Sequence, residues 1–553
     1  MRQSKLLISV VMLAASFSIA HAKPAVELDG SRLTLEQARQ IAQGEADVKI
    51  APSAIEKLKK SYTLVLAAAK GGTPVYGLTV GVGLNKDQAL FDAKGELSPA
   101  VLDASKAFNQ AMILSHSAGV GPMMDEALVR MTMVVRLNTL LNGQTGSQPY
   151  VAELYQRFLN RGLTPVVPAR GTVGEGDITI ASHIGAVMVG QWQAKIDGKT
   201  VSGAEALRIA GLKPLDIQGK DGLAILSTNA PSVAQSINAV LAARQIVRAT
   251  PRVYALSLEA LNGNVAPFLP QTIGVRPFPG LAESAKTLRD TLAGSYLWVR
   301  HPQRSLQDPL SFRDQVYVIT EMERALRDAE QMLAVQINSS DDNPATVLDA
   351  DRAYSDRSQV AMYFVDTPQA KGGIFPSANF EILPVALAVQ RLTLALAHAS
   401  ATSVQRTIHL SDDGFTKLPR FLAAPGNAGH AFGAIQKPFV ALHAENVDLA
   451  NPVSLDVMPV AGNIEDIGTN NDAAARRLHQ VADNLAAIYG LEMLHAAQAI
   501  DLRLAQTPAP TLSKSTQAMH RAYREKVAFV KQDRIFTPDI AASTRFVQTY
   551  SAQ

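Results

Sequence analysis

The chain contains no cysteine. Disulfides, thiolate metal ligands and cysteine nucleophiles are excluded together. An excess of one charge is also missing, since the formal net charge is only +3 over 553 residues. Lys and Arg are dispersed, with no basic stripe interleaved with aromatics, which argues against a nucleic-acid partner. Short internal repeats and low-complexity segments are absent. Beyond the N-terminus no stretch reads as long and uncharged enough to cross a bilayer. What remains is a globular balance, 47% hydrophobic and 18% charged, in a chain long enough for a large core and more than one domain.

The N-terminus has a layout of its own. Arg2 and Lys5 precede the apolar run LLISVVMLAASFSIA, and Ala20-His21-Ala22 supplies an A-x-A cleavage pattern. Residues 1–22 are therefore expected to be a cleaved signal peptide, and the mature protein periplasmic or secreted. The run is short for the alternative, an N-terminal membrane anchor.

Helical spacing marks LTLEQARQIAQGE, SAIEKLKKSYTLVLAAAK, PAVLDASKAFNQAMILSHSAG and MDEALVRMTMVVRLNTLLNG, the last closed by Gly143. KIDGKTVSGAEALRIAGLKPLDI predicts a short hairpin and helix. From 221 onward long helices dominate: NAPSVAQSINAVLAARQIVRAT, SFRDQVYVITEMERALRDAEQMLAVQI, PVALAVQRLTLALAHASATSVQRTI and NDAAARRLHQVADNLAAIYGLEMLHAAQAIDLRL. Several are too apolar for a half-exposed helix and belong inside a bundle or a subunit interface. The pattern predicts a mainly α protein, with a mixed domain over 23–220 and a helical bundle over 221–553.

One segment breaks the helical pattern. RGTVGEGDIT, Arg170 to Thr179, sets Glu175 between Gly174 and Gly176, with no Ser or Cys between Gly171 and Asp177. Glycine at this density specifies a tight backbone turn. The turn carries a carboxylate at its apex.

Around it, VYGLTVGVG, LSHSAGVGP, LTPVVPARGTVGEGDIT, DGLAIL, QDPLSFR, SSDDNP, ANFEILPVALA and AENVDLANPVSLDVMPVAGNIED follow one another across nearly the whole mature chain. In that order the chain resembles the histidine and phenylalanine ammonia-lyase superfamily. The resemblance implies an ammonia-lyase-like long-helix bundle, assembled as a homotetramer whose active sites each draw on several subunits. It implies a carbon–nitrogen lyase that removes the α-amine and β-proton of an aromatic or imidazole amino acid, leaving an α,β-unsaturated acid of the urocanate type. The family's electrophile is a methylidene-imidazolone (MIO) group, made from an internal Ala-Ser-Gly by cyclisation and dehydration. Dehydration consumes the serine β-hydroxyl. Here the matching positions read Gly174-Glu175-Gly176-Asp177, one residue shorter and without that hydroxyl. Thr172 has a hydroxyl but matches a residue ahead of the tripeptide. The MIO group is therefore expected to be absent, and no other cofactor or metal is implied. Ser227 and Leu310 stand where MIO lyases carry an asparagine and a tyrosine that serve the electrophile, which fits its loss.

That electrophile exists because ammonia leaves poorly. A trimethylammonium group leaves as neutral trimethylamine and has no lone pair with which to attack an MIO group. The sequence is accordingly similar to the MIO-lacking ergothionase branch, which splits ergothioneine into thiourocanate and trimethylamine. The expected substrate is ergothioneine or another N-trimethylated histidine.

By the same resemblance, Tyr76 matches the loop base for the β-proton; an ordinary tyrosine pKa of about 10 would have to be lowered for that task. Arg313 matches the arginine that holds the substrate carboxylate, a bidentate task suited to guanidinium. His116 matches a histidine on the ring-binding side, although a lone His on such a helix is as readily a core residue. Glu445 and Lys417 match the positions that face the substrate side chain, and together they would suit an imidazole N–H and a thione sulfur. Asn229 would substitute in part for the missing asparagine, and Glu381 replaces a His or Gln and would reshape the ring pocket. Asn343 and Asp466 read as turn caps. Glu175 would attract the trimethylammonium cation, with Phe375 or Phe380 offering ring faces; the competing reading is an acid complementing the dipole of the following helix. Two other functions compete: a histidine, tyrosine or phenylalanine ammonia-lyase by a modified mechanism, and an inactive periplasmic binding protein on the same scaffold. The joint loss of Ser, Asn and Tyr weighs against the first, and retention of Tyr76 and Arg313 against the second.

Overall fold

The computed structural model describes residues 23–71, 73, 75–81, 99–455 and 458–550. The expected signal peptide, residues 1–22, lies outside the described residues, as do Val82 and Gly83 of the loop after Tyr76.

Long helices carry the interior: Ala230–Leu261, Gln315–Gln336, Leu383–Leu410 and Asn471–Leu504. The last is apolar or small almost all round from Leu485 to Ile500, so it has no face to offer water and becomes the axis of the bundle. It packs along Ala230–Leu261 on one side and Leu383–Leu410 on another, and Thr537–Thr549 covers it further along. Each fully buried Leu or Ile on these faces contributes roughly 1.5–3 kcal/mol. The helical stretch NAPSVAQSINAVLAARQIVRAT ends at Thr250 in the sequence reading, yet the helix continues through Pro251 to Leu261. Tyr254, Leu256 and Leu258 beyond the proline are buried in the bundle, and that burial outweighs the local cost.

The interior also holds charge. Arg406 and Glu492, both fully buried, form a two-pronged pair at 2.7 and 2.8 Å, and the Ser257 and Ser403 hydroxyls also donate to Glu492. Arg406 further donates to the Ser311 carbonyl at 3.2 Å and to Gln315 at 2.5 Å, which fixes the short turn Leu310–Arg313 against the bundle. The Leu383–Leu410 helix corrects one expectation, because by length and composition alone it could cross a membrane. Its buried Arg406 and its packing make it a core helix here.

The N-terminal region mixes helices with short strands. Ala25–Leu28 pairs in parallel with Asp47–Ile50. The expected hairpin forms from Gln193–Ile196 and Lys199–Ser202 and leads into the helix Gly203–Ala210. A further antiparallel sheet, which periodicity does not reveal, joins Ala345–Leu348 and Phe364–Asp366 to the two edges of Lys371–Phe375.

Candidate active site

The glycine turn forms as its sequence predicts. Gly174 and Gly176 take φ values of +87° and +78°, in the left-handed region where a side chain is strained. Gly174 has a second constraint, since an added Cβ would lie 2.3 Å from the Thr469 hydroxyl. Between them Glu175 is held at the apex. The Val173 carbonyl accepts from the backbone N–H groups of Thr469 (3.1 Å) and Asn470 (2.8 Å), pinning the turn to the start of the Asn471–Leu504 helix. Thr172 donates its hydroxyl to Asp177 at 2.5 Å, and Asp177 also accepts from the Ser232 N–H at 2.8 Å. Burial pushes the Asp177 carboxyl up to about 6 against those hydrogen bonds.

Asn229 is the clamp on the other side. Its carbonyl oxygen accepts from the Gly176 N–H at 2.8 Å, and its amide nitrogen donates to the Phe380 carbonyl. It is fully buried and serves the backbone of both the turn and the segment carrying Glu381. That makes it a positioning residue. Asn229 is held in turn by Asp341, which accepts from its N–H at 2.8 Å and pairs with buried Arg136 at 2.8 Å. The motif SSDDNP thus acts through Asp341, which sequence reading passed over. Its Asn343, expected to cap a turn, instead accepts from the Ser377 N–H at 2.9 Å and so ties together two segments remote in sequence.

The carboxyl of Glu175 sits in an acidic neighbourhood. Burial pushes it up to about 8, and Glu381, Asp177 and Glu465 add to the shift. Its Oε1 is buried without a hydrogen-bond partner. Glu381 is exposed, and its own Oε1 accepts from the Leu383 N–H at 2.7 Å. Glu465 belongs to the segment GNIED, where sequence reading singled out Asp466; only the folded chain reveals its effect on Glu175. The residues present do not fit an MIO group: the apex side chain has no hydroxyl to eliminate, and the Thr172 hydroxyl is committed to Asp177.

Two further candidates lie beside the turn. Gly77, next to Tyr76, packs so closely on Leu223 that a Cβ would come within 2.6 Å of it. Leu223 belongs to the short helix Asp221–Leu226, which ends at Ser227, and the Ser227 hydroxyl lies 3.7 Å from a Cβ built on Gly176. The loop carrying Tyr76 therefore packs against the same short helix that flanks the turn. His116 ends the helix Pro99–His116, with Nδ1 2.8 Å from the Met112 carbonyl. A proton fixed on Nδ1 leaves Nε2 as the acceptor of the neutral ring. The loop after it brings the Gly119 Cα within 3.4 Å of a Cβ built on Gly171.

Arg313, Lys417 and Glu445 lie elsewhere on the same chain. Arg313 follows the Ser311 carbonyl that Arg406 binds, level with Glu492 on the axial helix. At ~1.5 Å per residue, Glu492 is about 30 Å from the helix start that pins the turn. Arg313 donates to Gln307 at 2.7 Å and leaves its buried Nε unpartnered. Lys417 is exposed beside Thr416, whose carbonyl accepts from Arg503 near the far end of that helix. Glu445 accepts from Asn484 at 3.1 Å, in mid-bundle. Within a single chain, Lys417 and Glu445 do not meet each other or Glu175. Phe375 is occupied edge-on by Tyr363 and Phe364, whereas the Phe380 backbone is tied to the turn through Asn229.

Comparison with known proteins identifies the family and the fold. The family model described as aromatic amino acid lyase matches residues 33–525. A histidine ammonia-lyase of Photobacterium profundum is 31% identical over 535 residues, covering 95% of this chain and 98% of that protein. The crystal structure of the ergothioneine-degrading enzyme ergothionase from Treponema denticola, in complex with desmethyl-ergothioneine sulfonic acid, is 36% identical, with a TM-score of 0.83 over 95% of this chain and 99% of that one. A tyrosine aminomutase from Streptomyces globisporus is 27% identical with a TM-score of 0.81, covering 95% of this chain and 97% of that one. The chain has the ammonia-lyase fold and is a carbon–nitrogen lyase of the aromatic amino acid lyase family.

Proposed function

We propose that this lyase works without an MIO group and eliminates trimethylamine from ergothioneine or another N-trimethylated histidine. The observation that carries this reading is the turn Gly174–Glu175–Gly176, which keeps the cradle of the family's electrophile but puts a carboxylate at its apex. Similarity to the Treponema denticola ergothionase supports the same choice.

In this reading Tyr76 takes the β-proton. The electrons of the broken C–H bond form the Cα=Cβ bond, and the Cα–N bond breaks with its pair leaving on nitrogen. The nitrogen departs as neutral trimethylamine, and the product is the conjugated acid. Arg313 holds the substrate carboxylate, where a planar guanidinium binds two oxygens at once. Lys417 and Glu445 hold the imidazole-thione side chain, and His116 borders its ring.

Arg313 sits in the turn held by Arg406 at the level of Glu492, about 30 Å along the axial helix from the end that pins the glycine turn, and that separation supports a site completed by other copies of the chain. A homotetramer supplies them, and the exposed Leu383, Leu387 and Leu394 on one bundle helix suit burial against such a copy. The mature protein is proposed to begin at Lys23 after export to the periplasm. Incubating the purified protein with ergothioneine, hercynine, histidine, phenylalanine and tyrosine tests the substrate: trimethylamine supports this reading, whereas ammonia supports an ammonia-lyase with a modified mechanism.

A further inference from the structure

Building on the trimethylated-substrate reading, we propose that Glu175 is the residue that recognises the fixed positive charge of the substrate, with its carboxylate set against the trimethylammonium group and Glu381 as the second anionic wall. The elimination itself leaves the apex carboxylate without a task. Two left-handed glycines nevertheless hold it in place, and its Oε1 is buried with no donor. A buried carboxylate oxygen without a donor is costly. A trimethylammonium group has no N–H to donate and is satisfied by negative charge alone.

Nor does the turn need Glu175 for its own stability. The acid that the local helices require is Asp177, which takes the Thr172 hydroxyl and the Ser232 N–H. The groups that act on Glu175 are all acidic: Asp177 from its own turn, Glu381 from the segment before the Leu383–Leu410 helix, and Glu465 from the segment before the axial helix. Behind Asp177 stand Asp472 and, balancing it, Arg476 and Arg170. Burial, reinforced by these neighbouring carboxylates, disfavours ionisation, and Glu175 accordingly sits at about 8. A permanent cation reverses that preference, so binding expels a proton at neutral pH.

Two consequences separate this role from a structural one. Affinity for the cation should tighten by up to about tenfold per pH unit until Glu175 is ionised, then level off. The nitrogen loses its charge as it departs, so Glu175 attracts the starting cation more than the transition state. Glu175→Gln should therefore raise KM without an equal fall in kcat.

Calorimetric titration of the full-length mature protein with tetramethylammonium chloride between pH 6.5 and 9 tests the site, alongside steady-state kinetics on ergothioneine. The wild type should tighten toward pH 8. Glu175→Gln should bind about tenfold more weakly at pH 8.5, with no pH dependence. Glu381→Gln should bind more weakly and shift the curve to lower pH, because one repulsive neighbour is gone. Wild-type protein that does not bind the cation, or a Glu175→Gln curve matching the wild type, overturns the inference. If the cation binds through Glu175 but ergothioneine yields no trimethylamine, the substrate reading falls and the cation site stands. If trimethylamine is released with the same KM and pH profile in Glu175→Gln, the reverse holds.

Discussion

Asn229 holds Gly176 by its N–H at 2.8 Å and, with the other end of the same amide, ties down the Phe380 carbonyl. One buried side chain thus sets the distance between the apex turn and the acidic segment opposite. Asn229→Ala removes both contacts and leaves a buried N–H and a half-buried carbonyl unpaired. It should cost about 1–3 kcal/mol of stability and lower kcat/KM with any accepted substrate by tenfold or more. Urea titration and steady-state kinetics on the same preparation check both effects. A variant with wild-type stability and rate would show that the clamp does not position the site.

The buried Arg406–Glu492 pair offers a test of the bundle. Glu492→Gln leaves the guanidinium buried without its counter-charge and should destabilise by about 3–5 kcal/mol. Because Arg406 also binds the Ser311 carbonyl, the same variant should raise KM through the turn that carries Arg313. A double variant, Arg406→Met with Glu492→Leu, should recover most of the stability but not the KM, and chemical denaturation with kinetics separates the two.

Much of this architecture is legible in the sequence, and what is not has physical reasons. Apolar periodicity predicts the long helices, and glycine density predicts the turn at 174–176. Pro251 misleads because local propensity says nothing of the burial of Tyr254 and Leu258 beyond it. The strands at 345–348, 364–366 and 371–375 are too short to show an alternating pattern. Motif order brings Tyr76, His116, Glu175 and Asn229 into view as one site, and they do fold around one turn. The same order does not show that Arg313, Lys417 and Glu445 lie away from that turn, beside the far and middle parts of the axial helix, because sequence order carries no distances; the resemblance already implies sites drawing on several subunits. The roles of Asp341 and Glu465 depend on contacts between remote segments, and neither has a local signature.

Separation of Arg313 from the turn predicts complementation. Tyr76→Phe and Arg313→Met should each be inactive alone. Coexpressed, they should regain roughly a quarter of wild-type activity, since random mixing puts intact partners at that share of composite sites. Absence of any regain in mixed oligomers would place both residues of a site on one chain.

Acid stability should depend on His495. It is fully buried against Phe432, its Nδ1 lies 2.8 Å from the Leu491 carbonyl, and burial pushes it down to about 4. An unfolded histidine takes up its proton near 6.5, before the native one does, so this contribution is fully present above pH 6.5 and falls as the pH drops toward 4. The slope is up to ~1.4 kcal/mol per pH unit. His495→Phe keeps a ring in place and should flatten that part of the stability profile. An unchanged difference between variant and wild type from pH 7 to 4 would contradict it.

The most direct measurement follows both products of ergothioneine turnover in one preparation of known intact mass. We predict one trimethylamine per conjugated acid formed, from a protein whose mass equals the sequence from Lys23 with no water lost. Ammonia released from histidine at a comparable rate, by a protein lighter than its sequence through dehydration, would contradict an elimination that proceeds without the family's electrophile.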